Sequence, residues 1–287
     1  MRLSLCTALP IVLLGLAPWS GVLAADYEPP MVIDTPDEYV PVEVGNGWYL
    51  RGDIGYALSS RANGTFDYRT FDPITSTYGQ STFDTAALGM DLSYGFGVGY
   101  QYNEFIRDDL TLDAFTGRFD GTTVSASPCV SGDPAYAGTT CRSEDGASFT
   151  AVSVMANGYI DLGTYAGFTP YVGAGAGVTH MAWGDLTNRT YCVDGGGSCP
   201  APGGVITTTM HGGEDSWRFT YAFMGGVAFD ISRNLKIDVG YKYTRITGGD
   251  MFGWDAGTAA SGATGVQGRD PGLSKHDVRV GLRYALW

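Results

Sequence analysis

The sequence predicts an all-β fold: an eight-stranded antiparallel up-and-down transmembrane β-barrel with short periplasmic turns and four long external loops. Three observations predict it. Eight stretches alternate apolar and polar residues with a period of two, as strands with one greasy face do. The connections between them alternate strictly between short and long. After residue 24 no apolar run is long enough to cross a membrane as a helix. The composition agrees: 43 Gly and 13% aromatic residues, without long amphipathic helix patterns, suit turn-rich β-structure.

The chain opens MRLSLCTALPIVLLGLAPWSGVLA. Arg2 supplies a positive start, an apolar stretch follows, and VLA closes a small-residue cleavage site before Ala25. Residues 1–24 therefore read as a secretory signal. Pro10 and Pro18 interrupt the apolar run and argue against a spanning anchor. Residues 25–46 contain Asp26, Glu28, Asp34, Asp37, Glu38 and Glu43 with no Lys or Arg, and read as an acidic, extended periplasmic segment. Residues 47–287 form the barrel domain.

The strands follow in order. Trp48 to Leu58 sets Trp48, Leu50, Ile54, Tyr56 and Leu58 against Tyr49, Arg51, Asp53 and Ala57. Met90 to Gln101 sets Leu92, Tyr94, Phe96, Val98 and Tyr100 against Asp91, Ser93 and three Gly. Arg107 to Phe119 sets Leu110, Leu112 and Ala114 against Arg107, Asp109, Thr111 and Asp113. Phe149 to Leu162 alternates more weakly, and Tyr171 to Trp183 is rich in small residues. Trp217 to Ile231 and Leu235 to Arg245 alternate cleanly. The chain ends DVRVGLRYALW, with Val278, Val280, Leu282, Tyr284 and Leu286 on one face. Short connections fall near 102–105, 163–169 and 232–234. Long ones cover about 59–82, 120–147, 184–216 and 246–274. A compact soluble domain rarely holds several structureless loops longer than ~15 residues, whereas an outer-membrane barrel has this rhythm.

A bilayer offers no water to an open sheet edge, so the last strand must pair with the first. The apolar faces then meet lipid. Trp48, Tyr56, Trp183, Trp217, Tyr243, Tyr284 and Trp287, near strand ends, are expected in interfacial girdles. Removing Arg2 with the signal takes the net charge from -13 to -14. The acidic segment and the long loops account for all of it, so the strands are neutral. A paired network inside the barrel is expected from Arg51, Arg107, Arg218, Lys236, Lys242, Arg279 and Arg283 with Asp53, Asp91, Asp109, Asp113, Asp230, Asp238 and Asp277. Eight strands leave a lumen that side chains can fill.

Four cysteines survive signal cleavage: Cys129, Cys141, Cys192 and Cys199. In an exported chain they imply disulfides. Three pairings are open, and the sequence-local one is the simplest. His180, His211 and His276 do not combine with them at zinc-site spacing, so no metal is expected. No GxSxG, HExxH or phosphate loop occurs. No catalytic residue and no cofactor are expected, and the chain is not read as an enzyme. Ser274, His276 and Asp277 at the start of the last strand place His276 on the lipid face near the external rim, where a lipid-modifying site is the least favoured alternative. Nucleic acid is excluded as a partner by the acidic balance.

GWYLRGDIGYA, GVGYQYNEFIRDDLTLD, DLGTYAGFTPYVGAGAGV and HDVRVGLRYALW together resemble the small outer-membrane β-barrel proteins of α-proteobacteria, the opacity or surface-antigen type related to the OmpA membrane domain. The resemblance covers residues 47–287 outside the long loops. It implies the Gram-negative outer membrane, structural, adhesive or porin-like roles, and contact with outer-membrane lipid and lipopolysaccharide. It also implies insertion by the barrel-assembly machinery with periplasmic chaperones, reading Leu282, Tyr284 and Trp287. Cell wall and host surface are the remaining partner classes. The expected function is outer-membrane integrity and surface interaction, with a narrow porin as the alternative.

Overall fold

The computed structural model describes residues 46–125, 129–130, 133–194, 197, 199–201 and 203–286. The signal over 1–24, the acidic segment up to residue 45 and the side chains of Asp91 and Trp287 lie outside the described residues.

Eight strands close into a ring: β1 (Gly47–Ala62), β4 (Thr85–Gln101), β5 (Ile106–Ser125), β6 (Thr140–Asp161), β7 (Phe168–Trp183), β10 (Asp215–Asp230), β11 (Leu235–Asp255) and β12 (Gly268–Ala285). Every neighbour is antiparallel. Closure runs from Tyr49↔Ala285 to Ala62↔Leu273, with a bulge between Ala57 and Ser59. The ladder of β12 with β11 runs from Leu235↔Tyr284 to Phe252↔Gly268. No sheet edge is left where lipid would meet it, as backbone chemistry in a bilayer requires. The outward face carries Trp48, Ile54, Tyr56, Phe96, Trp217, Phe219, Val280 and Tyr284, each about half exposed or more.

The turns at one end are short because they need only reverse the chain. Between β6 and β7 the backbone turns through Gly163, Ala166 and Gly167, all with positive φ (91°, 51° and 81°). Inside the wall, the ring of Tyr49 lies where a Cβ on Gly99 would sit, so the glycine makes room for an inward tyrosine.

At the other end the long connections hold more β-structure than their sequence suggests, among the described residues. The wall strands run past the membrane band: β5 to Ser125, β6 from Thr140, β11 to Asp255 and β12 from Gly268. Two hairpins extend this external tier. β2 (Asp67–Asp72) and β3 (Thr77–Thr82) pair with each other, and β2 joins β12 at Gly268↔Tyr68. β8 (Leu186–Val193) pairs with β6, and β9 (Val205–Gly213) joins β11 at Phe252↔Gly213. β7 and β10 stop lower, and β8 and β9 take their place in the wall. A short helix, α1 (Ala256–Ala260), begins at Asp255, whose carboxylate accepts from the backbone N–H of Gly257 and Thr258. Polar alternation with Thr, Ser and Asn hid these extensions, because above the membrane both faces can meet water.

Candidate functional site

The interior is built in three layers. The lowest is ionic. Arg51 reaches Asp53 (2.7 Å) and Asp109 (2.8 Å) and donates to the Tyr159 hydroxyl at 2.6 Å. Arg107 pairs with Asp161 at 3.1 Å, its guanidinium lying 3.9 Å from the centre of the Tyr159 ring. Asp113 takes both Lys242 (2.8 Å) and Arg279 (2.7 Å). Arg283 pairs with Asp238 at 3.2 Å, and Lys275 with Asp277 at 2.9 Å. Asp230 and Lys236 meet at 2.8 Å, but at the half-exposed periplasmic turn rather than deep inside. Arg218 pairs higher up with Asp270 at 2.7 Å.

Asp161, Asp270 and Lys275 were missed from the sequence. Strand parity could have found two of them: Asp161 shares the inward face of Ser153 and Asn157, and Lys275 that of Asp277. Asp270 lay in a stretch read as loop. With these additions, the buried ion pairs join seven cations (Arg51, Arg107, Arg218, Lys242, Lys275, Arg279, Arg283) and seven carboxylates (Asp53, Asp109, Asp113, Asp161, Asp238, Asp270, Asp277), and an eighth carboxylate, Asp145, is buried higher up on β6. The ion-paired layer itself is balanced in charge. A small void of about 20 Å³ lies between Arg51, Asp113, Tyr159 and Lys242, enough for water.

Above the charges a row of hydroxyls crosses three strands, Ser153 to Thr179 at 2.7 Å and Thr179 to Thr220 at 2.5 Å. The third layer is apolar. Phe115, Phe119, Phe149, Met181 and Trp183 point inward, and Phe66 and Leu186 drop in from the external connections. Phe149 and Trp183 pack at 4.7 Å between ring centres, Phe66 and Phe119 also at 4.7 Å. Trp183 is therefore not a girdle residue: it shares parity with the buried Thr179 and Met181, and His180 faces outward instead. Lys275 joins the two layers, its ammonium 4.1 Å from the centre of the Phe115 ring.

The external tier carries the other candidate surface. Arg69 on β2 lies over the Tyr78 ring of β3 at 3.9 Å, with Trp254 of β11 and Phe71 beside them. Trp254 Nε1 donates to the carbonyl of Thr264 at 3.2 Å, and the Thr264 backbone N–H donates to the Tyr78 hydroxyl at 3.0 Å. Hydrogen bonding from Thr264, with Arg69 nearby, holds the Tyr78 phenol below its usual pKa. Ile74 at the hairpin tip is almost fully exposed. The disulfides Cys129–Cys141 and Cys192–Cys199 pin the neighbouring connections, and Cys141 and Cys192 face each other in register on β6 and β8.

His276 faces outward, as its position predicts, and its Nδ1 engages the Tyr241 hydroxyl. Ser274 bonds instead to Asn63 at 2.6 Å, and Asp277 is buried inside the barrel. The three do not assemble into a relay. Leu282 and Tyr284 lie on the outer face of the last strand.

No family model matches the sequence. An uncharacterized protein of Brucella abortus is 34% identical over 96% of this chain and 97% of its own length. A putative adhesin of Rickettsia typhi and the outer membrane protein PagN of Salmonella typhimurium are each 24% identical over 84% of this chain, covering 88% and 90% of their own lengths. Among solved structures, Neisserial surface protein A aligns over 84% of this chain and 99% of its own at 15% identity, with a TM-score of 0.42. The closed ring, its apolar belt and the likeness to an outer membrane protein place the chain in the Gram-negative outer membrane, as a small β-barrel protein belonging to the family of the Brucella proteins.

Proposed function

We propose that this protein is a sealed barrel whose working surface is its external tier: it holds an ordered, adhesive face above the outer membrane and contributes to envelope integrity through its wall. What supports this reading is the ion pairing in the lower lumen together with the aromatic rings packed above it. A narrow porin would need both layers to part. The ordered platform of Arg69, Phe71, Tyr78 and Trp254 supports the adhesive role, since rigid aromatic and Arg side chains bind with little loss of side-chain freedom. The putative adhesin among the relatives supports it too.

Insertion by the barrel-assembly machinery, with periplasmic chaperones, belongs to the same reading, with the outward Leu282 and Tyr284 as its recognition positions. The test compares Gram-negative cells displaying the wild type with cells displaying a chain whose 67–82 hairpin is replaced by a short turn. Adherence to an epithelial monolayer should fall while the heat-modifiable folded barrel persists. Equal adherence at equal surface amount would remove the adhesive role.

A further inference from the structure

Several arginines of the chain stand outside its ion pairs, and the register brings two of them, Arg61 and Arg245, together on the wall. Arg61 on β1 and Arg245 on β11 both pair in register with Ser274 of the intervening strand β12. In-register residues point to the same face, and this face is the outer wall: Val278 and Val280 on β12 share the parity of Ser274 and are exposed. Arg61 is exposed and Arg245 half exposed. Among the described residues neither has a carboxylate partner, in a chain with 30 Asp and Glu against 17 Lys and Arg. Strands lie ~4.8 Å apart, so two steps set the arginine backbones about 10 Å apart, close enough for both side chains to grip one phosphate.

The height on the wall is equally specific. The row below holds Tyr243, His276 and Ser59 in register, and the row below that Tyr241 and Val278. Tyr243 and His276 pack at 5.1 Å between ring centres with their planes tilted, as aromatic residues of an interfacial girdle can. The arginines therefore stand one outward position above the external girdle, where lipid phosphates lie. Ser274 is held between them, donating to Asn63 at 2.6 Å and accepting from Arg245 at 3.4 Å. Asn63 Nδ2 finds no partner in the described fold.

The geometry points to a binding site for a phosphorylated lipid headgroup of the outer leaflet, clamped by Arg61 and Arg245 beside His276. Two guanidiniums on one phosphate make charge-assisted hydrogen bonds, and the aromatic row beneath receives the start of the acyl region. The site is independent of the adhesive reading, because it lies on the wall and not on the external hairpins.

The experiment uses the full mature chain refolded in detergent, with diphosphoryl lipid A as the probe and lipid retention read by native mass spectrometry. The wild type should retain lipid A and discriminate against its dephosphorylated form. The combined Arg61→Gln and Arg245→Gln change should weaken retention about tenfold or more, from loss of charged hydrogen bonds. Arg118→Gln, an exposed arginine elsewhere on the wall, should leave it unchanged. Should the double variant fail to give the heat-modifiable form, each single Gln variant should show part of the loss, and the corresponding Lys variants part of the binding. Undiminished retention in folded variants would overturn the site. Displacement of lipid A by an equal concentration of inorganic phosphate would overturn its assignment to lipid.

Discussion

Asp113 on β5 and Arg279 on β12 meet inside the barrel at 2.7 Å, although β1 and β4 lie between their strands on the wall. Lys242, from β11, completes the group at 2.8 Å. The contact is a strut across the lumen, and its chemistry sets what removal does. Asp113→Ala leaves two buried cations facing each other. Loss of one partner from a buried pair costs ~3–5 kcal/mol, so the urea midpoint of the folded barrel in detergent should fall accordingly. Replacing Asp113, Lys242 and Arg279 together with Leu and Met should cost much less. Equal losses for the single and triple changes would mean that the charges do not act as a unit.

The apolar layer predicts a packing effect. Phe119 is fully buried against Phe66, Phe83 and Trp183. Phe119→Ala should destabilise the barrel by ~3–5 kcal/mol through the cavity it leaves, read as a lower heat-modification temperature. Phe119→Leu should cost a fraction of that.

The disulfides stiffen only the tier. Cys129–Cys141 and Cys192–Cys199 close short segments, with sequence separations of 12 and 7. Cys129→Ser with Cys141→Ser should expose the 120–147 connection to protease while the membrane-embedded barrel keeps its gel shift. Collapse of the whole barrel on reduction would contradict this division.

Acid should tighten the tier near Asp145. Burial pushes this carboxyl above its usual value, although Ser143 and Asn188 donate to it at 2.7 and 2.6 Å. A group whose pKa rises on folding binds its proton more tightly in the folded state. Its contribution to stability is therefore fully present below the ordinary carboxylate pKa and is lost as pH rises through the raised one. Amide exchange at 140–146 should slow as pH falls through that window, after correction for intrinsic rates, and Asp145→Asn should remove the dependence. Asp255, lowered despite its partial burial by bonds from Thr258 and Gly257, contributes in the opposite sense on the other flank of the β8–β9 hairpin.

Much of the barrel was legible because lipid imposes a strict alternation: Val278, Val280, Leu282 and Tyr284 announce an outer face without help from any other strand. Inward charges such as Arg51 and Asp109 were legible by the same parity. The apolar layer was not. Phe115 and Phe149 sit on the inward face of strands whose lower halves are polar, and nothing local distinguishes an inward Phe from an outward one. Trp183 misled for that reason. The hairpins of the tier escaped because Thr, Ser and Asn alternate with one another, and period-two contrast vanishes when water is available on both sides. Arg61 and Arg245 carried no signal at all, since only the register across β12 brings them together.

The central claim is that the lumen is closed. Single-channel recording of the refolded, heat-modifiable protein in planar bilayers tests it most directly. The account predicts a silent bilayer, for the wild type and for Arg279→Met alike, because the aromatic layer closes the path above the charges. Stable unitary steps in the wild type, with ion selectivity altered by charge changes at Arg107 or Lys242, would contradict it and make the buried ions the lining of a pore.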